Sequence, residues 1–193
     1  GLIDADLLDN GTRHPNLVLL KLAGFFHDNG IQFELILDPK ADTSHYTKIY
    51  MSRVFTYTEL PELYIRAKGT SEERKFHCGG TGFYANEANV MEYRKMREDD
   101  MNRLENDEFL NSLRNFHGGK EYGINMARQM PYYHLYDSFV NQQVEKGFKR
   151  EKYKDYQKYS IGFLTRGCVR HCPFCVNKLE NHILPYSLSL IHI

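Results

Sequence analysis

The positions of apolar and polar residues near the start of the chain follow the pattern of a strand and then a helix. Residues 2–4 are predicted to form a short buried strand. Residues 17–26 are almost all apolar, which is typical of a helix buried on most sides beside a parallel sheet. Pro15 suits the first turn of that helix, and Gly30 stands where a left-handed C-terminal cap is expected.

The same pattern continues through the first part of the chain. Further strands are predicted over residues 31–37, 48–55 and 75–78, and a short helix is predicted over residues 59–68. Strands and helices that alternate at this pitch are typical of an α/β fold. We therefore expect a Rossmann-like domain with a parallel sheet over residues 1–130.

The composition changes after this region. Residues 85–115 are highly charged with few apolar positions, which predicts one or two solvated helices inserted in the α/β domain. Residues 131–159 are rich in Tyr and Lys and are interpreted as a linker between domains. Residues 160–165 are then predicted to form a new strand that leads directly into a group of cysteines.

Composition and charge exclude several classes of protein. The hydrophobic content of 41% and charged content of 26% are ordinary for a globular domain, and the formal net charge of zero argues against a nucleic-acid partner held by bulk charge. No apolar run approaches the roughly 18 residues of a membrane-spanning helix.

The acidic start of the chain lacks the pattern of a secretory signal. It also lacks an initiating Met, so we expect the natural start to lie upstream. The four cysteines do not form a disulfide framework, which favours the cytoplasm.

The last six residues, LSLIHI, have an unusual back-translation. The codons CTG TCT CTT ATA CAC ATC encode them and match a transposase end sequence used to build sequencing libraries. The alternative is an apolar strand with high β propensity. We expect residues 188–193 to be a non-native tail and exclude them from the interpretation of the fold.

Three of the four cysteines lie in one short stretch, where Cys168, Cys172 and Cys175 have the spacing C-x3-C-x2-C. Four interpretations compete for this spacing. Cys172 and Cys175 match a redox CxxC pair, and the three thiolates with His171 or His182 suit a zinc ion. In the third interpretation the thiols are simply small buried residues. The fourth interpretation, an iron–sulfur cluster with three protein ligands and one open iron, uses all three cysteines without a further ligand.

The stretch C-V-R-H-C-P-F-C resembles the signature of the radical S-adenosylmethionine (SAM) enzymes. The resemblance implies that Cys168, Cys172 and Cys175 bind a 4Fe–4S cluster and that SAM chelates its open iron. An electron from the cluster then cleaves SAM to a 5′-deoxyadenosyl radical. Phe174 occupies the aromatic position that packs near the adenine of SAM in this family, and Gly167 allows the loop to turn before the first cysteine.

The resemblance covers residues 160–187, which are expected to form the first strand and cluster loop of a truncated (β/α) barrel. The glycine-rich segment that this family uses to bind the amino group of SAM is not found in the chain. Arg166 and Arg170 flank the first cysteine, and we expect them either to be solvated or to contribute to SAM binding and cluster electrostatics.

The first 130 residues resemble the N-terminal, cobalamin-binding-type domain of some radical SAM proteins. The resemblance rests on the stretches HPNLVLLKLAG, KIYMSRVFTYT and HCGGTGF. Cobalamin domains that supply an axial ligand carry D-x-H-x-x-G, whereas the residues two positions before His27 and His77 are Phe25 and Lys75. Cobalamin binding without a histidine ligand is left open.

Several other residues are candidates for a site or for purely structural roles. Gly79, Gly80 and Gly82 follow a predicted strand and suit either a phosphate cradle or a tight turn. Cys78 is interpreted as a buried strand-end residue. Asp4 and Asp6 lie near the predicted carboxyl end of the first strand, where α/β domains bind ligands. His14 lies at the predicted start of the first helix.

The sequence thus predicts a fragment of a radical SAM enzyme that binds a 4Fe–4S cluster and SAM, and we expect the fragment by itself to be inactive. The expected partners are a small-molecule or peptide substrate and an electron donor such as flavodoxin or ferredoxin, with neither nucleic acid nor membrane involved. The alternative is a zinc-binding or redox-regulated binding module that uses the same cysteines.

Overall fold

The computed structural model describes residues 1–84, 129–162, 165–166 and 184–185. The chain divides into two compact units, and the first consists of residues 1–83 and 130–161. The second unit comprises residues 84–129 and 162–193. The predicted charged helices over residues 85–115 and the expected tail over residues 188–193 lie outside the described residues.

The first unit is α/β and contains three short parallel strands in the order β1–β2–β3. These strands are β1 (Leu2–Asp4), β2 (Ile49–Ser52) and β3 (Phe76–Gly79). The strands are in register, with Asp4 opposite Ser52 and Ser52 opposite Gly79. The carboxyl ends of all three strands therefore lie at one edge of the sheet.

Four helices accompany these strands in the first part of the chain, followed by two more in the second. They are α1 (Ala5–Asn10), α2 (Leu17–Asp28), α3 (Glu62–Ala67), α4 (Thr81–Tyr84), α5 (Asp137–Glu145) and α6 (Lys154–Gln157). Three 3₁₀ turns, at Ser71–Lys75, Tyr133–Tyr136 and Arg150–Tyr153, precede β3, α5 and α6. The prediction of a parallel α/β sheet is confirmed, and α1 was not predicted.

The predicted buried helix is confirmed as α2, although its start differs from the expectation. The side chain of Asn16 caps it by accepting from the backbone N–H groups of Val18 and Leu19, so Pro15 precedes the cap instead of lying in the first turn. Gly30 follows the helix with a φ of 67°, as a left-handed cap requires. Because β1 leads into α1 and then α2, this helix is anchored next to the sheet.

The prediction of a full strand over residues 31–37 is wrong. This segment forms only one parallel bridge, between Leu35 and Leu2, on the side of β1 that faces away from β2. The N–H of Leu2 donates to the carbonyl of Glu34, and the N–H of Ile36 donates to the carbonyl of Leu2. Because β1 ends at Asp4, where α1 begins, this segment has little strand to pair with.

Side chains that alternate along the strands build a core on each face of the sheet. Tyr50 points toward α2, where its ring lies 5.6 Å from that of Phe26. Ile49 and Met51 point to the opposite face and pack in a buried cluster with Leu63 of α3. The sheet is therefore covered by α2 on one face and by α3 on the other.

Residues 131–159, which we interpreted as a linker, lie within the stretch 130–161 that belongs to the same compact unit as residues 1–83. They contain α5 and α6, and their buried side chains include Leu135, Tyr136, Val140 and Tyr156. The high Tyr content suggested a linker, but two of these tyrosines have buried rings. The ring centres of Tyr136 and Tyr156 lie 5.2 Å apart.

Substitution of Gly80 by Ala should destabilise the protein strongly. Its φ is 107°, and an added Cβ would lie 2.3 Å from the backbone carbonyl oxygen of Arg53. Gly147 has a similar φ of 92° but open space around it, so Gly147→Ala is a matched control for the backbone conformation alone. We expect Gly80→Ala to lower the free energy of unfolding by at least about 2 kcal/mol more than Gly147→Ala. Equal losses in urea unfolding would contradict this steric explanation.

Candidate functional site

Two regions carry the residues that sequence analysis singled out: the cysteine stretch and the carboxyl edge of the sheet. Cys168, Cys172, Cys175, Phe174 and Gly167 lie outside the described residues. The same holds for the alternative zinc ligands and the second flanking arginine, which are His171, His182 and Arg170.

The backbone on either side of the cysteine stretch is described. Arg166 lies in β4 (Thr165–Arg166), which pairs antiparallel with β5 (Leu184–Pro185). Thr165 is opposite Pro185, and Arg166 is opposite Leu184. The ladder pairs the residues on either side of positions 167–183, and this stretch of the sequence contains all three clustered cysteines. The predicted strand over residues 160–165 is therefore seen only at its last residue and continues into Arg166.

The carboxyl edge of the sheet is closed by a buried hydrogen-bond network, which we call the edge network: Asp4, Asn16, Ser52 and Tyr136. The hydroxyl of Tyr136 donates to Asp4 Oδ2 over 2.7 Å and accepts from the backbone N–H of Asn16 over 3.0 Å. The Asn16 amide donates to the Ser52 hydroxyl over 2.8 Å. Asp4 is 2% exposed and Tyr136 0% exposed, so the network is shielded from water.

Burial shifts the pKa values of the two central groups upward. The pKa of Asp4 is raised to about 6, because its burial disfavours the carboxylate more than the hydrogen bonds from Tyr136 and Leu7 favour it. Burial, and then the nearby Asp4 carboxylate, raises the pKa of Tyr136 well above its usual value. Tyr136 is therefore a neutral hydrogen-bond donor to Asp4 at all physiological pH values.

A second set of contacts fastens α6 to the loop between α1 and α2. The hydroxyl of Tyr156 donates to the carbonyl of Thr12 over 2.6 Å. The buried carboxylate of Asp155 lies 3.3 Å from Arg13 Nε and 3.2 Å from His14 Nδ1. His14, one of the polar candidates from the sequence, is thus an exposed side chain that contacts the buried carboxylate of Asp155.

Asp6 and Arg53 hold the loop 53–58 that follows β2. Asp6 is buried and accepts from the backbone N–H of Val54 over 2.7 Å, and also from Phe55 N–H and the Thr58 hydroxyl. The Arg53 guanidinium donates to three backbone carbonyls, those of Thr56, Thr58 and Gly82. Asp4 and Asp6 are therefore buried groups with structural roles, which is one of the two alternatives that the sequence left open.

The glycines after β3 allow two backbone segments to approach closely. The N–H of Gly82 donates to the carbonyl of Arg53 over 2.9 Å, and an added Cβ at Gly82 would lie 2.7 Å from the carbonyl of Phe55. Of the two alternatives for Gly79, Gly80 and Gly82, this geometry favours the tight turn, because the loop 53–58 occupies the space beside it.

The remaining candidates take part in packing. The His77 ring stacks on Tyr50, and the His27 ring stacks on Tyr132. Cys78 is half-buried in β3, where it contributes to the raised pKa of Tyr64 after the larger effect of burial. Sequence analysis missed Asn16, Ser52, Tyr136 and Asp155, although a helix-capping Asn before an apolar run is a recognisable signal.

Substitution of Tyr136 by Phe should separate residues 130–161 from the sheet edge. It removes the donor to the Asp4 carboxylate and the acceptor for the Asn16 N–H, so we expect a loss of about 1–3 kcal/mol in the free energy of unfolding and faster proteolysis within residues 130–161. Tyr159→Phe is the control in the same segment, because Tyr159 is exposed. A loss for Tyr159→Phe as large as that for Tyr136→Phe would rule out the edge network as the cause.

The raised pKa of Asp4 predicts a pH dependence of stability. Since the folded state binds the proton more tightly than the unfolded chain does, the stabilisation is complete below about pH 4 and is lost as the pH rises through about 6. The Asp4→Asn variant keeps a side chain that can cap α1, but its amide group has no proton that titrates in this range. Between pH 4 and 7 the wild type should lose up to about 3 kcal/mol relative to this variant in urea unfolding. Parallel stability profiles for the two proteins would show that Asp4 does not titrate in this range.

No group of three or more His, Cys, Asp or Glu residues within the described part of the chain is placed to hold a metal ion. Over the same residues, no helix has the length and apolar character needed to cross a membrane. No protein-family model, curated protein or solved structure matches the chain.

Proposed function

We propose that this protein is a radical SAM enzyme in which Cys168, Cys172 and Cys175 bind a 4Fe–4S cluster. The observation that carries the proposal is the C-x3-C-x2-C spacing with Phe174 directly before the third cysteine. Three soft thiolates suit iron–sulfur chemistry, and they leave one iron open for an exogenous ligand. When bound, the cluster supplies an electron that cleaves SAM to a 5′-deoxyadenosyl radical.

The fold supports this proposal in two ways. The β4–β5 ladder pairs the residues on either side of positions 167–183, so the two ends of the cysteine-containing stretch lie close together. In the first unit, the segment around Leu35, β1, β2 and β3 lie side by side in that order. This is the 2-1-3-4 order of a doubly wound sheet, which supports a Rossmann-like assignment.

The barrel and the cobalamin expectations have less support. A barrel strand pairs in parallel with its neighbours, whereas β4 and β5 are antiparallel, so the assignment to a (β/α) barrel rests on the sequence resemblance. Cobalamin is not part of the proposal, because the carboxyl edge beside β1 and β2 is filled by the edge network. The substrate is left unassigned, since many reactions share this loop.

The alternative is a zinc site formed by the three cysteines and a histidine. His171 and His182 both lie in the stretch 167–183 and are the candidate fourth ligands.

Anaerobic reconstitution of the 193-residue chain with iron and sulfide distinguishes the two functions. We expect about four iron and four sulfide per chain, and an electron paramagnetic resonance signal after dithionite reduction that changes when SAM is added. Cys172→Ser should lose most of the iron, because one of three ligands is removed. Cys78→Ser is the matched control, since Cys78 lies in β3, and should keep all of it. A colourless protein that binds one zinc tightly, or iron content that is unchanged in Cys172→Ser, would refute the proposal.

A further inference from the structure

Three large apolar side chains on the loop 53–58 are exposed to solvent, and we call them the aromatic surface. Tyr57 is 71% exposed, Phe55 is 45% exposed and Val54 is 41% exposed. The rings of Phe55 and Tyr57 stack on each other, with their centres 5.3 Å apart and their planes at 13°. Exposed apolar side chains that lie next to one another are more typical of a binding surface than ones that are scattered singly.

Buried polar groups hold the backbone of this loop in place. Both oxygens of the buried Asp6 carboxylate accept backbone N–H groups of the loop, and the Arg53 guanidinium donates to two of its carbonyls. The hydroxyl of Thr81 donates to the carbonyl of Val54 over 2.7 Å. The loop ends at Thr58, which is 1% exposed. The aromatic surface is therefore preformed, and a partner would not have to order it.

The ring of Tyr57 has one face available for a partner. Phe55 covers the other face, so the 71% exposure of Tyr57 arises largely from the face that points away from Phe55. Within the described part of the chain, the side chains that lie over aromatic rings as cations are Arg53, Lys152 and Lys154, and none of them lies over Tyr57. A planar cation from a partner could therefore stack on this ring.

The free charges beside the aromatic surface are negative. Glu59 follows the loop directly, and its backbone N–H donates to Asp9 Oδ2 over 3.0 Å, so the Asp9 carboxylate lies at the end of the loop. Asp9 and Glu59 are both exposed, and neither forms an ion pair with a residue that the structure describes. The cation of the loop, Arg53, is held by backbone carbonyls. Aromatic rings are thus combined here with uncompensated carboxylates.

This combination of rings and carboxylates identifies the chemistry of the partner. Aromatic platforms that bind single-stranded nucleic acids lie in positively charged grooves, and surfaces that bind anionic membranes carry clustered Lys and Arg. Arginine has the opposite requirements, because its guanidinium stacks on aromatic rings and pairs with carboxylates. Charge complementarity therefore favours a basic peptide that contains arginine.

We propose that the aromatic surface, together with Asp9 and Glu59, is the docking site for an arginine-containing basic segment of a partner protein. A guanidinium of this segment stacks on the open face of Tyr57, and the two carboxylates pair with its positive charges. All of these residues lie in the first unit, so the proposal does not rest on the cysteines or on a cluster.

Fluorescence anisotropy of a fluorescein-labelled arginine–glycine repeat peptide, titrated with the 193-residue chain at low ionic strength, tests the proposal. Tyr57→Ala should weaken binding about fivefold, because the stacked cation is lost. Asp9→Asn/Glu59→Gln should weaken it about tenfold and reduce its dependence on salt, because two charges are removed. A lysine–glycine repeat should bind the wild type more weakly, since an ammonium group does not stack as a plane.

Two matched variants are the controls. Tyr159→Ala removes an exposed tyrosine outside the loop, and Asp28→Asn/Glu145→Gln removes two exposed carboxylates on α2 and α5. Both should bind the arginine–glycine peptide as tightly as the wild type does. Equal midpoints in urea unfolding check that the variants of Tyr57, Asp9 and Glu59 remain folded, as their exposure leads us to expect.

Several outcomes would overturn the proposal. They include unchanged affinity in Tyr57→Ala or in Asp9→Asn/Glu59→Gln, equally large losses in the controls, and equal binding of the lysine–glycine peptide. Tighter binding of single-stranded oligothymidine or of phosphatidylserine vesicles would assign the surface to another class of partner. Self-association in sedimentation that Tyr57→Ala abolishes would identify a second copy of the chain as the occupant and would also overturn it.

Discussion

The hydrogen bond between the Tyr136 hydroxyl and the Asp4 carboxylate links the two stretches of chain that form the first unit. Asp4 ends β1 and caps α1, while Tyr136 stands just before α5, so one contact joins the sheet to the second stretch. The same hydroxyl accepts from Asn16, the N-cap of α2. The positions of β1, α1, α2 and α5 therefore all depend on a single buried polar cluster, whose members satisfy one another away from water.

This arrangement determines what the carboxyl edge of the sheet can do. In open α/β sheets, ligands bind beyond the carboxyl ends of the strands. Here that place is taken by Tyr136 above β1 and β2, and by the loop 53–58 beside the turn after β3. The chemistry proposed for this protein is therefore placed with the cysteines, and no small-molecule ligand is proposed at this edge of the sheet.

The elements that could be predicted from sequence are those with a strong local pattern. The apolar run from residue 17 predicted α2, and short β-branched or aromatic stretches predicted β2 and β3. The segment over residues 31–37 alternates like a strand, but pairing depends on its neighbour, and β1 is too short to pair with it fully. The edge network was not predictable, because Tyr136 lies 132 residues from Asp4 and no local pattern reports such a contact. The cysteine spacing, by contrast, is a local signal, and the candidate site was identified from it alone.

The first unit is discontinuous: its two stretches are separated by residues 84–129, which belong to the second unit. During synthesis, all three strands of this sheet are present once β3 has been made, but Asp4 Oδ2 and the backbone N–H of Asn16 gain their hydrogen bonds to Tyr136 only after Tyr136 leaves the ribosome. The length of the intervening chain affects the stability of the first unit mainly through the entropy of closing a loop, which costs only about 0.6 kcal/mol for each doubling in length. Related proteins should therefore tolerate large changes in length between Phe83 and Met130, while the chain on either side keeps its spacing.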